Sequence, residues 1–196
     1  LLAGLLGFDP ESVEILGEQP ATFNDSCLGI HIAEVACAQL RTAGTVISLQ
    51  AGEQQYVFHS ALNPPAPVLA QAAGFSTSTP TLTWSRQGGR EPVCDDLLLY
   101  LNGWAVQYSC QGTTGRAPGV LSLTPAQQRQ LLLWTLAYRP FDYRAASLDG
   151  VSESLIFFGL GKADPSFEEE KEIAEFAAQV LQPPATPVPT LPQATP

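Results

Sequence analysis

Arg90 to Gly112 read as two strands joined by a tight turn, with the core Val93-Cys-Asp-Asp-Leu-Leu-Leu-Tyr-Leu-Asn-Gly-Trp-Ala-Val-Gln-Tyr-Ser-Cys110. Leu97–Leu101 and Trp104–Tyr108 are rich in strand-favouring residues, and Asn102-Gly103 supplies the positive φ of a hairpin turn. A three-residue loop, Leu101-Asn102-Gly103, with Gly103 left-handed in a bulge, pairs Leu97 with Gln107 and Leu99 with Ala105. The same register sets Cys94 opposite Cys110, a cross-strand pair within disulfide reach. A two-residue turn would miss by one position, so the cysteines select the bulged loop.

The other two cysteines, Cys27 and Cys37, form a second local pair. Four cysteines allow three connectivities, and local pairing is the simplest. Neither pair has C-x-x-C spacing and the chain holds two histidines, which argues against zinc. Two disulfides imply an oxidising, extracytoplasmic compartment, secreted or cell-surface. The chain has no methionine, and Leu1-Leu-Ala-Gly-Leu-Leu-Gly7 is apolar but too short to span a bilayer, so a trimmed leader and no transmembrane span are expected. A net charge of −10 argues against binding nucleic acid or an anionic membrane, both of which call for clustered Lys and Arg.

Taken in order, residues 1–62 predict one α+β module. Residues 1–7 resemble the end of a helix, Phe8–Ser12 a turn and Val13–Leu16 a short strand. Thr45–Leu49 and Gln54–Ser60 form a hairpin with Ile47, Leu49, Tyr56 and Phe58 on its buried face. Asn24-Asp25-Ser26 fits either a glycosylation sequon or an Asx-rich turn, the turn being favoured. Asn63-Pro-Pro-Ala-Pro67 breaks the pattern, and residues 63–80 are expected to be a linker with a short helical turn over Val68–Gly74. Residues 81–182 predict a second α+β module: a strand at Thr81–Arg86, the hairpin, and a short extended stretch at Val120–Leu123. A helix follows from Thr124-Pro125 to about Tyr138 with Leu132, Leu133 and Leu136 inward. Extended Phe141–Tyr143 and a strand at Ser152–Leu160 come next. Thr124 with Gln127 makes a capping box. Asp164-Pro165-Ser166 starts a final helix, with Glu168, Glu169 and Glu170 favoured by its dipole and Ile173, Phe176, Ala177 and Val180 as its core stripe. Residues 183–196, with six prolines in fourteen, are a polyproline-type tail. The fold class is thus α+β: two small modules, each an antiparallel sheet with packed helices, plus an extended tail.

The chemistry-bearing residues are sparse. His31 and His59 are the available bases, and neither stands in a nucleophile motif. Asp95 and Asp96 are adjacent, and strand alternation sends them to opposite faces, so they do not act as one pair. No cofactor, metal or catalytic residue is expected. Arg86-Gln87-Gly88-Gly89-Arg90 is a positively charged turn on an acidic protein, a candidate partner contact.

Residues 1–62 resemble the PepSY type of small α+β domain, with the Cys27–Cys37 loop inserted. Asp25-Ser-Cys-Leu-Gly29, Ala36-Cys-Ala-Gln39 and Tyr56-Val-Phe-His59 resemble segments of exported bacterial, Chloroflexi-like, lipoprotein-type proteins. Trp84-Ser-Arg-Gln-Gly-Gly89, Cys94-Asp-Asp96, Leu123-Thr-Pro125 and Phe141-Asp-Tyr143 resemble a companion domain of such proteins. The element order of the second module is also similar to the emfourin type of metallopeptidase inhibitor. These resemblances imply an exported, non-enzymatic protein-binding module, with inhibition of a thermolysin-like peptidase as its sharpest form. The alternative is a structural subunit of a cell-surface complex or filament, held to other copies by its proline-rich tail.

Overall fold

Among the described residues, two antiparallel sheets and two long helices make up most of the fold. The computed structural model describes residues 3–4, 9–90, 92–109 and 118–181. The first sheet is a meander of β1 (Val13–Phe23), β2 (Thr42–Ala51), β3 (Gln54–Leu62), β4 (Pro65–Ala72) and β5 (Phe75–Ser76), each strand beside the next. The second holds β6 (Leu82–Gly88), β7 (Val93–Leu99), β8 (Trp104–Ser109) and β9 (Gly119–Ser122). Helix α1 (Pro125–Ala137) then carries the chain to the opposite edge, where β10 (Phe141–Ala146) and β11 (Val151–Phe157) add beside β6. Helix α2 (Phe167–Val180) ends the described chain.

The hairpin of β7 and β8 has the expected register. Leu97 opposes Gln107 and Leu99 opposes Ala105, and Gly103 has φ of 91° in a three-residue loop closed by Tyr100 and Trp104. Cys110, one end of the expected Cys94–Cys110 bond, lies outside the described residues. The tip of this hairpin is buried, unlike an ordinary surface turn. Asn102 donates to the Thr77 carbonyl and accepts from the Trp104 amide, Gln128 donates to the Leu101 carbonyl, and the Leu123 amide donates to the Gly103 carbonyl. The tip therefore ties the segment before β6 to the start of α1.

The hairpin of β2 and β3 also forms as its sequence predicts, with Leu49, Tyr56 and Phe58 buried and Ile47 packed against them. Three local expectations give way. Residues 63–80, read as a linker with a helical turn, form β4 and β5. Proline cannot donate to a ladder and so belongs on strand edges; β5 pairs with β4 only at Gln71 and Ala72, which leaves Pro65 and Pro67 on an open edge. The strand read at Val13–Leu16 runs on to Phe23, because beyond Leu16 its inward positions are the small Gly17 and Ala21, with Phe23 alone buried, so little apolar alternation shows. In α1 Leu132 is buried and Leu136 packs partly buried against the core as expected, but Leu133 is exposed, and Leu131, Trp134 and Thr135 are buried in addition. The Thr135 hydroxyl is satisfied within the helix by the Leu131 carbonyl, which lets a polar residue take the inner face.

The first helix begins at the box the sequence shows, Thr124 with Gln127, and the second begins at a capping box of Ser166 with Glu169. The carbonyl end of α1 has no glycine cap. The chain after β11 does that work instead: Leu160, Gly161 and Ala163 donate to the carbonyls of Thr135, Tyr138 and Ala137. A Cβ on Gly161 would lie 2.1 Å from Ala137, so only glycine permits the approach.

One apolar cluster runs through the molecule. It takes Leu49, Tyr56, Phe58 and Leu69 from the first sheet, Leu82, Trp84, Leu97, Leu99, Leu155 and Phe157 from the second, Leu131 and Trp134 from α1, and Ile173 and Ala177 from α2. The helices meet edge-on at Trp134 and Phe176. Residues 183–196 lie outside the described chain.

Candidate functional site: the outer face of the second sheet

Cys27 and Cys37 are bonded, as expected, and the loop they close clasps both sheets. Asp25, in the turn that starts the loop, accepts the amides of Cys27 and Gly29, so the Asx-turn reading of Asn24–Ser26 holds. His59 on β3 donates Nδ1–H to the Leu28 carbonyl at 2.7 Å and packs on the Phe23 ring. Further along, Ile32 and Val35 pack on Tyr100, Val106, Leu98, Trp104 and Tyr108 of the β7–β8 hairpin. The loop thus covers one end of the second sheet's outer face and leaves the rest open.

On that open part, strand register builds a polar row. Arg144 opposes Ser154, Ser154 opposes Ser85, Ser85 opposes Asp96, and Asp96 opposes Tyr108. Directly opposed residues in antiparallel strands share a face, so one line of side chains crosses β10, β11, β6, β7 and β8. Beside it runs a less polar row containing Ile156, Thr83 and Leu98. Together they line a groove of about 350 Å³ that includes Thr83, Ser85, Asp96, Leu98, Tyr108 and Ile156. A neighbouring hollow of about 340 Å³ shares Ser85 and Ser154 and reaches Arg144.

The row is unevenly satisfied. The Ser85 and Ser154 hydroxyls are 2.7 Å apart. Burial, then the negative charge of Glu34 and a hydrogen bond to its carboxylate, hold the Tyr108 phenol above its ordinary pKa. Asp96 has no hydrogen bond or ion pair among the described residues. Burial, and then the neighbouring Asp95 charge, push its carboxyl above the usual carboxylate range. Asp95 sits on the inner face with Arg86 at 2.8 Å, so the two acids separate as strand alternation requires.

The turn singled out from sequence, Arg86 to Arg90, exposes Gln87, Gly88 and Arg90 and is tied down along its backbone. Arg86 is half-buried, paired with Asp95 and stacked over Trp84 at 5.6 Å. The Gln87 carbonyl accepts from Ser152, Gly88 pairs with Val151, and the Gly89 amide donates to Gly150. Arg90 is exposed. The five residues lie together at one end of β6, strapped to the turn between β10 and β11. Sequence reading weighed Asp96 only as the neighbour of Asp95 and passed over Ser85, Tyr108, Arg144 and Ser154; the signal of the row was the residue-by-residue register, which needs the strand order before it can be drawn.

The histidines do not meet at this row. His31 is exposed near Asp25 at 3.6 Å, and His59 is engaged with Leu28. Asp25, Cys27 and Cys37 bring ligand-type atoms together among the described residues, but the two sulfurs are consumed in their disulfide and offer no thiolate. Among the described residues no helix is long and apolar enough to cross a membrane.

A family model described as Domain of unknown function (DUF8738) matches residues 1–69. That span carries the clasp loop and the strands it stands on, and none of the polar row. No curated protein and no solved structure matches the chain.

Proposed function

We propose that the chain is an exported, non-enzymatic protein-binding module that takes a partner polypeptide on the outer face of its second sheet. The observation that carries this reading is the five-strand row from Arg144 to Tyr108, lying in an open groove with its Asp96 carboxylate uncompensated. Polar groups on a sheet face are ordinarily satisfied by neighbours or water; a half-buried acid held against its own ionisation is a common mark of a site. The Cys27–Cys37 bond supports an oxidising compartment. Peptidase inhibition is one form this binding takes in the families the sequence resembles, and a panel of thermolysin-like peptidases tests it directly.

The module reading is tested with a pooled library of end-blocked pentapeptides and the ¹⁵N-labelled full chain. Binding peptides are expected to shift the amides of residues 83–85, 96–98 and 154–156. Thr83→Trp, which fills the groove floor with a strand-compatible ring, is expected to abolish those shifts. Shifts confined to the Gly88–Gly89 turn, hydrolysis of the peptides, or no binding at all would each overturn it.

A further inference from the structure

Resting on that reading, we infer that the groove selects a cation on an aliphatic stem: a lysine or arginine side chain of the partner polypeptide, its charge on Asp96 and its stem over Leu98 and Ile156.

Asp96 lacks a counter-charge of its own. The other acid of the pair, Asp95, takes Arg86 on the opposite face. The cation on the outer row, Arg144, is three strands from Asp96. At strand spacing that is about 14 Å, beyond the screening length at physiological salt. Among the described residues, the Asp95 charge acts on Asp96, Tyr108 on β8 stands opposite it, and Glu34 acts on Tyr108. All of them become negative or neutral, so the loop end of the groove is a locus of negative potential with no basic group beside it among the described residues.

The neighbours also settle which cation fits. Calcium or magnesium asks for several converging oxygens; here one carboxylate stands beside two hydroxyls that already bond each other. The wall next to Asp96 is apolar: Leu98 follows two residues on along the same face, and Ile156, 44% exposed, lies across Thr83. A long side chain lays its methylenes on such a surface while its head seeks the acid, and the face of an aromatic ring such as Tyr108 favours the same charge. The net charge of −10 draws cationic partners to the whole molecule; Asp96 would give that attraction a seat.

The experiment compares the acetylated, amidated pentapeptides Thr-Val-Lys-Val-Thr and its Arg, norleucine and Glu counterparts, with blocked lysine alone as a fifth probe, on the full-length chain. The Lys and Arg peptides are expected to bind at least about tenfold tighter than norleucine, and Asp96→Asn to bring that ratio to about one. Glu53→Gln, the same change of net charge in the distant turn between β2 and β3, is expected to leave the ratio intact. If norleucine binds as well as lysine, or Asp96→Asn keeps the preference, the inference fails while the outer-face reading stands. If blocked lysine binds as tightly as the peptide, the ligand is a free amine and the polypeptide assignment fails. If no peptide binds, or Thr83→Trp leaves binding untouched, both fail together.

Discussion

Asp96 and Asn102 show how differently two polar residues on one hairpin are treated. Asn102 is buried and fully used, with a donor on the Thr77 carbonyl and an acceptor on the Trp104 amide. Asn102→Ala leaves both partners unpaired in a closed space and is expected to cost about 1–3 kcal/mol in urea unfolding; a loss near zero would show that water replaces the side chain. Asp96 is the reverse case. Its carboxyl sits above the ordinary range through burial and the Asp95 charge, so folding favours the protonated acid. The group therefore costs stability once pH rises through its folded pKa, and the cost vanishes below the unfolded value. Asp96→Asn is expected to be more stable than the parent at pH 7, with the gap closing on acidification through the carboxylate range. Paired urea midpoints across that range check the sign; a variant less stable at pH 7 would mean that the carboxylate already has a favourable partner. A group retained against stability fits a site better than a scaffold.

The element that decides most is the Cys27–Cys37 loop. Its cysteines are ten residues apart, and between and beside them lie the residues that grip both sheets, Leu28 on His59 and Ile32 on the β7–β8 hairpin. Replacing both cysteines by serine frees this loop in the unfolded state. The expected loss is about 2–4 kcal/mol, with a change in the Trp104 fluorescence environment as Ile32 and Val35 leave. Unchanged stability and unchanged fluorescence would show that the apolar contacts hold the loop without the bond. By contrast β1, an open edge with Ile15 and Leu16 exposed, carries the usual guards against edge pairing: a bulge between Ile15 and Gly17, Glu18, and Pro20.

For the whole molecule, the decisive fact is that one cluster joins both sheets and both helices. Cooperative unfolding follows contiguity of the core. Calorimetry is expected to show a single transition whose van't Hoff and calorimetric enthalpies agree. Two resolved transitions, or a fragment ending at residue 62 that folds alone, would instead show that the sheets are separable units.

Local chemistry made much of this legible in advance. The β7–β8 register followed from cysteine spacing and a left-handed glycine, the start of α1 from its capping box, the start of α2 from Asp164-Pro165-Ser166, and the β2–β3 hairpin from its alternation. Each is a short-range constraint, written within about twenty residues of chain. The same is true of the Cys27–Cys37 pairing and of the parting of Asp95 from Asp96. What escaped was the long-range part. Residues 63–80 became strands because a sheet edge tolerates proline, β1 lengthened because the small Gly17 and Ala21 at its inward positions show little pattern, and Thr135 turned inward because its hydroxyl found a carbonyl in its own helix. The polar row is the clearest case. Arg144, Ser154, Ser85, Asp96 and Tyr108 are scattered between residues 85 and 154, and only the order of strands in the second sheet sets them on one line.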